Sequence, residues 1–378
     1  MMNDTESIHK IHSMYHQLLE QAATRIVGQS AVLEELVIAL FSGGHCLLEG
    51  VPGLGKTLII RTLAQALSLE FQRIQCTPDL MPADITGSEM FQLPGQISRE
   101  ISTQNSDYSI STSVSASVST SASVSGGMQF MKGPVFTNIL LADEINRTPP
   151  RTQSALLEAM EERQVTCGRR RFALPEPFMV LATQNSIEQE GTYPLPEAQL
   201  DRFMFKSHVT YPTRNEELDI LLRATTEICE PKPILTVEEL RLARELVRRV
   251  PVSTPVVSYA LDLCRATRPE MGQDSEMMTD SGRVSEKFPE KRKNADLEAY
   301  IREYVAWGAG PRAGLALLQG ARARAILHGR FCVDREDVRA LAPSVLRHRI
   351  QTRFTADAEG ITTDGIITRI LNAEGFSF

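Results

Sequence analysis

The feature that most constrains this chain is a glycine-rich segment between a short apolar run and a helical pattern. Residues 50–57 read GVPGLGKT and fit the pattern G-x-x-x-x-G-K-[ST]. His45–Glu49 before the segment predicts a strand, and Lys56–Ser68 predicts a helix that starts within it. Glycines let the backbone turn tightly, so that N–H groups point at phosphate oxygens beside the positive end of a helix. The segment therefore predicts a phosphate-binding loop on an α/β scaffold.

The positions of this loop divide into backbone roles and side-chain roles. The backbone is expected to enclose the phosphates of ATP at Gly50, Val51, Pro52, Gly53, Leu54 and Gly55. Lys56 is expected to reach the β- and γ-phosphates, because its ammonium group carries the charge that they attract. The hydroxyl of Thr57 is expected to bind Mg²⁺.

Two further strand patterns end in polar residues that would complete such a site. Ile139–Ala142 is an apolar run followed by Asp143 and Glu144. Asp143 is expected to hold magnesium through water, and Glu144 to activate the attacking water as a general base. Phe178–Thr183 is another apolar run, and Asn185 after it is expected to orient that water without competing as a base.

The first half of the chain alternates strand and helix patterns, which is typical of an α/β domain with a mainly parallel sheet. Strands are predicted at His45–Glu49, Phe71–Gln75, Ile139–Ala142 and Phe178–Thr183, and helices at Ser30–Phe41, Lys56–Ser68 and Pro150–Arg163. The sequence Tyr-Pro-Thr at 211–213 breaks this alternation. We therefore expect the α/β domain to span residues 1–212.

Residues 213–378 are predicted to form a second, α-helical domain. Helices are predicted at Asn215–Thr226, Val237–Val250, Pro255–Thr267, Leu297–Trp307, Pro311–Gly329 and Arg335–Val345. Thr236 is a predicted N-cap, because Glu239 three residues later would complete a capping box.

Two segments look foreign to a compact fold. In residues 96–127, serine occupies every odd position from Ser109 to Ser125, and such a tract buries too little apolar surface to offset the entropy of ordering it. A disordered loop is predicted, although the period of two also suits a thin β-ribbon. Residues 269–294 are polar, mixed in charge and without periodicity, which predicts an inserted surface loop.

Composition argues against several classes of protein. The chain has 40 Lys and Arg against 47 Asp and Glu, a net charge of −7, which disfavours a protein that coats nucleic acid. No apolar run is long enough for a transmembrane helix, and the polar start does not fit a secretory signal. The six cysteines show no C-x-x-C pair, as expected of reduced thiols in a cytoplasmic protein.

Five motifs that follow one another along the chain carry a resemblance to a known family. They are the loop at Gly50–Thr57, DEINR at Asp143–Arg147, ATQN at Ala182–Asn185, LPEAQLDRF at Leu195–Phe203 and GAGPRA at Gly308–Ala313. As an ordered set they resemble the MoxR family of AAA+ ATPases over about residues 15–350, apart from the two inserts. The resemblance implies a P-loop AAA+ core with a parallel sheet, an α-helical lid domain and a ring, usually a homo-hexamer.

The resemblance also implies roles for residues outside the loop. Arg202 matches the arginine finger, which completes the site of the neighbouring chain. Arg312 matches sensor 2, which reaches from the lid to the γ-phosphate of its own chain. Val27 and Gly28 match the segment near the adenine. Arg147 is a second candidate for a contact in trans, and the alternative for it is an ion pair within its own chain.

Two local elements bear on mechanism and partner choice. Gln164–Phe172 predicts a hairpin that resembles the one before sensor 1 in this branch of AAA+ proteins, and Asn185 matches sensor 1 itself. Residues 84–132 match an insertion that faces the central pore of the ring, here lengthened by the serine-rich tract. Both this tract and residues 269–294 depart from the family pattern. Neither removes a catalytic motif, so the departures put partner choice in doubt rather than hydrolysis.

The residues together predict a magnesium-dependent ATPase. The resemblance implies that hydrolysis drives chaperone-like remodelling or maturation of other proteins, usually partners with von Willebrand factor A domains. Three alternatives stay open at this point. A DNA-remodelling AAA+ motor is disfavoured by the acidic net charge. A nucleotide-gated assembly adaptor would not need a water-activating base such as Glu144. A small-molecule P-loop kinase would not need an arginine in trans or a helical lid.

Overall fold

The structure is a computed structural model that describes residues 4–92, 127–185, 191–223, 231–269, 295–373 and 376. The predicted loops at 96–127 and 269–294 lie outside the described residues, except for their boundary positions 127 and 269. The helices are α1 (Asp4–Ala23), α2 (Ser30–Ser42), α3 (Lys56–Ala66), α4 (Pro82–Thr86), α5 (Pro150–Glu162), α6 (Glu197–Leu200), α7 (Arg214–Arg223), α8 (Val237–Arg249), α9 (Thr254–Ala266), α10 (Ala295–Tyr304), α11 (Pro311–Leu327), α12 (Arg335–Leu346), α13 (Phe354–Ala358) and α14 (Thr363–Asn372). The strands are β1 (Cys46–Glu49), β2 (Phe71–Gln75), β3 (Gly87–Gln92), β4 (Gly127–Lys132), β5 (Ile139–Asp143), β6 (Gln164–Cys167), β7 (Arg170–Ala173), β8 (Met179–Gln184), β9 (Phe205–His208), β10 (Val305–Trp307) and β11 (Gln351–Thr352).

The centre of the molecule is a five-stranded sheet in the order β2-β5-β8-β1-β9, in which every neighbouring pair is parallel. This confirms the predicted α/β class and all four predicted strands, and it adds β9, which the sequence patterns did not indicate. Because the strands are parallel, their carboxyl ends share one edge. At that edge the paired positions Gln75, Asp143, Glu49 and Gln184 come together.

Helices cover both faces of the sheet, so its three inner strands β5, β8 and β1 read as continuous apolar runs rather than as alternating ones. In β1, Cys46 and Leu48 join the apolar cluster that includes α1, α2, α3 and the lid helices. Leu47 between them joins a second cluster with Leu156 and Leu157 of α5. The period of two in a strand thus divides adjacent residues between the two cores.

The second half of the chain is helical, as predicted, but one predicted helix is too long. Leu297–Trp307 was expected to be helical throughout, whereas α10 ends at Tyr304 and the next three residues form β10, which pairs with β11. Pairing with a segment more than 40 residues away decides this, and local periodicity does not report such contacts. The predicted capping box of α8 is confirmed, because Glu239 N–H donates to Thr236 Oγ1 at 3.3 Å and Thr236 N–H donates to Glu239 Oε2 at 3.0 Å.

The lid lies against the core through α11 and α12. Helix α11 packs on α2, α9 and α12, and α12 packs on β9. At Gly320 in α11, an added Cβ would lie 2.8 Å from Leu341 Cδ1 and 3.1 Å from Phe205 Cζ. The absence of a side chain at Gly320 therefore lets α11 approach the first residue of β9 closely.

Two hairpins lie beside the sheet. Strands β6 and β7 form the hairpin predicted at Gln164–Phe172. Strands β3 and β4 form a second one within the predicted insertion, with Gln92 paired to Gly127. Phe130 and Phe172 stack with their ring centroids 4.1 Å apart, so the two hairpins contact each other. Among the helices that the structure describes, none has the length and apolarity required to cross a membrane.

Candidate functional site

The predicted phosphate-binding loop joins β1 to α3 and has the backbone that its glycines allow. Gly53 and Gly55 have φ angles of 85° and 73°, in the left-handed region that favours glycine. Gly50 is required for a different reason, because a Cβ there would lie 2.5 Å from the carbonyl oxygen of Val209. Since α3 begins at Lys56, the loop leads directly into a helix N-terminus.

Lys56 lies over the carboxyl edge of the sheet. Its Nζ donates to the carbonyl oxygens of Gly50 at 2.7 Å and Gln184 at 3.2 Å. Burial lowers the pKa of Lys56, and the nearby carboxylates of Asp143 and Glu144 act in the opposite direction. The lysine and the two predicted acids therefore occupy one electrostatic environment, as a site for a charged polyphosphate requires.

Thr183 fixes the positions of both predicted acids. Its hydroxyl donates to Asp143 Oδ1 at 2.6 Å and accepts from the backbone N–H of Glu144 at 2.8 Å. Strand β8 thereby orients the end of β5. The sequence analysis treated Thr183 only as the end of an apolar run, although a threonine inside such a run is a polar group in need of a partner.

Glu144 leaves the sheet in the left-handed conformation, with a φ of 59°. Its Oε2 accepts from Gln75 Nε2 at 3.2 Å and pairs with Arg147 Nε at 3.0 Å. Arg147 is thus paired within its own chain, which matches the alternative raised for it. The carboxylate is partly exposed, at 26%, so a water molecule can reach it.

Asn185 directly follows β8 and is buried, with 6% of its surface exposed. The preceding residue, Gln184, supplies the carbonyl that accepts from Lys56, so Asn185 lies near the lysine along the same strand end. Thr57 is half-buried in the first turn of α3. Its hydroxyl and the Asp143 carboxylate are oxygen donors of the kind that Mg²⁺ prefers.

The donors at this edge are typical of a magnesium site rather than of a metal site built from protein ligands alone. Among the described residues, no group of three or more His, Cys, Asp and Glu side chains could hold a metal ion by itself. Mg²⁺ commonly binds through one or two protein groups together with substrate phosphates and water. The pair Thr57 and Asp143 fits that pattern.

The segment expected near the adenine lies beside the end of β9. Gly28 has a φ of 70°, and an added Cβ there would lie 2.7 Å from Glu216 Oε1. Gln29 Nε2 donates to the carbonyl oxygen of Thr210 at 2.7 Å. Because Val209 contacts Gly50 of the phosphate loop, residues 27–29 and the loop flank the same short stretch of chain.

Arg202 and Arg312 both pair with Glu161, near the end of α5. Arg202 Nη1 lies 3.0 Å from Glu161 Oε2 and donates to the carbonyl oxygen of Leu157 at 2.9 Å. Arg312 Nη2 lies 2.7 Å from Glu161 Oε1, and its Nη1 lies 3.7 Å from Asp201 Oδ2. One carboxylate thus joins the predicted finger of the core to the predicted sensor of the lid.

This arginine pair lies at the amino edge of the sheet, opposite the phosphate loop. Helix α5 begins at Pro150, six residues after Glu144, and has 13 residues, which at about 1.5 Å per residue is about 20 Å. Near its far end, the carbonyl of Met160 accepts from His45 Nε2 at 3.2 Å, and Arg163 donates to Gly43 at 2.9 Å. Gly43 and His45 precede β1, so this end of α5 lies where the strands start.

The expected approach of Arg312 to the γ-phosphate of its own chain is therefore not what the structure shows. Arg312 lies in the first turn of α11, and the docking of this helix on β9 at Gly320 directs its start to the amino edge. The sequence identified the residue, but the side of the core on which it lies depends on how the lid docks.

Comparison with known proteins agrees with this architecture. A sequence profile described as "ATPase family associated with various cellular activities (AAA)" matches residues 45–107 and 110–205, and a profile described as "AAA lid domain" matches residues 297–370. The protein named Chaperone MoxR1 from Mycobacterium tuberculosis is 38% identical over 362 residues, which are 96% of this chain and 82% of that protein. This chain belongs to the MoxR family of AAA+ ATPases.

Other MoxR-family relatives match over similar lengths. The protein named MoxR from Methylorubrum extorquens is 27% identical over 344 residues, which are 87% of this chain and 85% of that protein. A solved structure from Cytophaga hutchinsonii that carries an ATPase assignment is 35% identical, with a TM-score of 0.79, and the match covers 99% of this chain and 98% of that one. The similarity therefore extends over both the AAA+ core and the lid of this MoxR-family protein.

Proposed function

We propose that this MoxR-family protein is a magnesium-dependent ATP hydrolase whose catalytic site is shared between neighbouring chains of a ring. The observation that carries the proposal is the separation of its parts within one chain. Lys56, Asp143 and Glu144 lie at the carboxyl edge of the sheet, whereas Arg202 and Arg312 lie together at the amino edge. A ring in which the amino edge of one chain meets the carboxyl edge of the next brings these parts together.

At the carboxyl edge, binding and water activation fall to different residues. Backbone N–H groups of Gly53 and Gly55 and the ammonium of Lys56 hold the phosphates. Magnesium, held by Thr57 and Asp143, would neutralise part of the negative charge of the phosphates. Glu144 Oε accepts the proton of the attacking water.

At the amino edge, Arg202 stabilises the charge that develops on the γ-phosphate of the neighbouring chain's nucleotide. Arg312 shares Glu161 with it and is presented on the same side, so we assign Arg312 to the neighbouring site as well. Asn185, buried behind the carboxyl edge, orients the water. In this arrangement hydrolysis requires assembly.

The work driven by hydrolysis is proposed to be the remodelling or maturation of partner proteins. The relative named as a chaperone supports this role, and the family resemblance points to partners with von Willebrand factor A domains. Nucleic acid is a poor candidate for the partner, because the net charge of −7 opposes binding to phosphate backbones.

The rate of ATP hydrolysis per chain, measured against protein concentration, tests the shared site. We expect the rate per chain to rise with concentration, and Arg202→Ala to lower it by about 10³- to 10⁵-fold while ATP binding is retained. Arg302→Ala, which removes an exposed arginine of α10, is the matched control and should leave the rate unchanged. A flat rate per chain together with unimpaired Arg202→Ala would mean that each chain acts alone.

A further inference from the structure

Arg73 contacts the carboxylate that is expected to hold magnesium. Arg73 is in the edge strand β2, and its Nη2 and Nε donate to Asp143 Oδ2 at 2.6 and 3.1 Å. The other oxygen, Oδ1, accepts from the Thr183 hydroxyl at 2.6 Å. Both oxygens of Asp143 are therefore already engaged by donors of this chain.

These contacts oppose the binding of a second cation at Asp143. A carboxylate oxygen has about two acceptor sites, so the two N–H donors of Arg73 use the capacity of Oδ2. A guanidinium at hydrogen-bond distance also repels Mg²⁺, because both carry positive charge. Magnesium and Arg73 therefore compete for one carboxylate.

The position of Arg73 allows its side chain to move away from Asp143. Strand β2 is an outermost strand of the sheet, and the Arg73 side chain is 46% exposed, so this side chain can turn into solvent. Solvent reaches the arginine half of this ion pair and screens it, which makes displacement of the arginine easier. Arg73 Nη2 also donates to Gln75 Oε1 at 2.7 Å, and Gln75 Nε2 donates to Glu144 at 3.2 Å. Release of Arg73 therefore alters the hydrogen bonds of the catalytic base too.

We propose that Arg73 is a built-in counter-cation that competes with magnesium for Asp143 and so sets the magnesium concentration at which the site is filled. The inference rests on the proposed function, because it takes Thr57 and Asp143 as the magnesium-binding pair. It adds a residue outside the five motifs quoted above, located on a different strand from both acids. Arg73 is a positioning residue in this scheme, since it acts on the metal through Asp143.

The test measures binding rather than turnover. A fluorescent ADP analogue is titrated onto the full-length protein at a series of magnesium concentrations, for the unmodified chain and for Arg73→Gln. We expect the half-saturating magnesium concentration to fall about two- to fivefold in Arg73→Gln, the range of an exposed ion pair. Arg61→Gln, which removes an exposed charge from α3 near Thr57, is the matched control and should cause no such shift.

Each outcome decides one question. An unchanged or higher magnesium requirement in Arg73→Gln, or an equal fall in Arg61→Gln, overturns the role of Arg73. Binding that ignores magnesium in the unmodified chain overturns the proposed magnesium site instead. If Arg73→Gln does not fold, Arg73→Lys replaces it, and the same downward shift is expected at smaller size, because the ammonium is a point charge without the paired N–H geometry.

Discussion

At the carboxyl edge of the central sheet, Asp143 and Glu144 are partly open to solvent, and each is paired with an arginine at or near the surface. At the amino edge, Arg202 and Arg312 pair with Glu161, which is 42% exposed, and Arg312 also lies beside Asp201, which is 32% exposed. Asp201, which lies beside Arg312, is fixed by Arg349, whose side chain is only 4% exposed. The amino edge therefore has an acid anchored by a buried arginine, whereas the arginines at the carboxyl edge, Arg73 and Arg147, are 46% and 38% exposed.

The histidines at the two edges also differ in their burial and in their hydrogen bonds. At the amino edge His45 is buried, accepts from the N–H of Val180 at 2.9 Å through Nδ1 and therefore donates through Nε2. Burial lowers its pKa to about 3, and burial also lowers the pKa of His348, whose Nε2 contacts the carbonyl of Phe203. At the carboxyl edge His208 is 39% exposed and pairs with Glu49. The histidines at the amino edge are thus closed to solvent, whereas the histidine at the carboxyl edge is open to it.

Removal of the base at the carboxyl edge should have the largest effect. We expect Glu144→Gln to lower the rate of ATP hydrolysis by about 10²- to 10⁴-fold, because the amide no longer accepts a proton from water. ATP binding should persist, since Lys56 and Thr57 are untouched. Glu158→Gln, at an exposed position of α5, is the control for loss of an acid. Undiminished turnover in Glu144→Gln would remove Glu144 as the base.

A mixture of two inactive variants separates the edges directly. Lys56→Ala disables the carboxyl edge and Arg312→Ala the amino edge, so each alone should be inactive. In an equal mixture, we expect about a quarter of the unmodified rate, because one neighbour contact in four joins an intact loop to an intact arginine edge. The measurement is the rate of ATP hydrolysis of the mixture at ring-forming concentration.

The same mixture distinguishes a contact in trans from one within the chain. If Arg312 served its own loop, every chain with an intact Lys56 would lack its arginine, and the mixture would stay inactive. That result would restore the placement expected from sequence and contradict the contact with Glu161 as the working arrangement.

As the pH falls, the amino edge should lose stability at a higher pH than the carboxyl edge does. This is the smallest effect that we expect. His45 and His348 have lowered folded-state pKa values, so their contribution to stability is full above pH 6.5 and is lost as the pH falls below it. A hydrogen bond from His208 lowers the pKa of Glu49 to about 2, so the contribution of Glu49 is lost only between pH 4.5 and about 2.

Urea unfolding at about pH 7 and about pH 5.5 measures this difference. We expect the free energy of unfolding to fall by about 1 kcal/mol for each buried histidine over that interval. His45→Gln should remove about half of the fall, whereas His9→Gln, at an exposed position of α1, should leave it unchanged. An equal fall in His45→Gln and the unmodified chain would mean that His45 does not cause it.

The local structure of the carboxyl edge can be predicted from sequence more readily than the placement of residues at the amino edge, for a physical reason. Residues 50–57 form a local structure whose glycine conformations and helix start lie within one short segment, and the acids follow strands directly. The location of Arg312 depends on docking of α11 against β9, which brings together residues far apart in the chain. Arg73 and Thr183 were missed because their partners lie on neighbouring strands, and strand order is a tertiary property.

The hairpin of β3 and β4 has a consequence for how this protein can change in length. Gln92 pairs with Gly127, so residues 93–126 depart from and return to the domain at a single point. For a segment that joins two fixed ends, each doubling of length costs only about 0.6 kcal/mol of closure entropy. Insertions and deletions between these two residues are thus nearly neutral for the ATPase core, and a natural or engineered module can be exchanged there as a cassette.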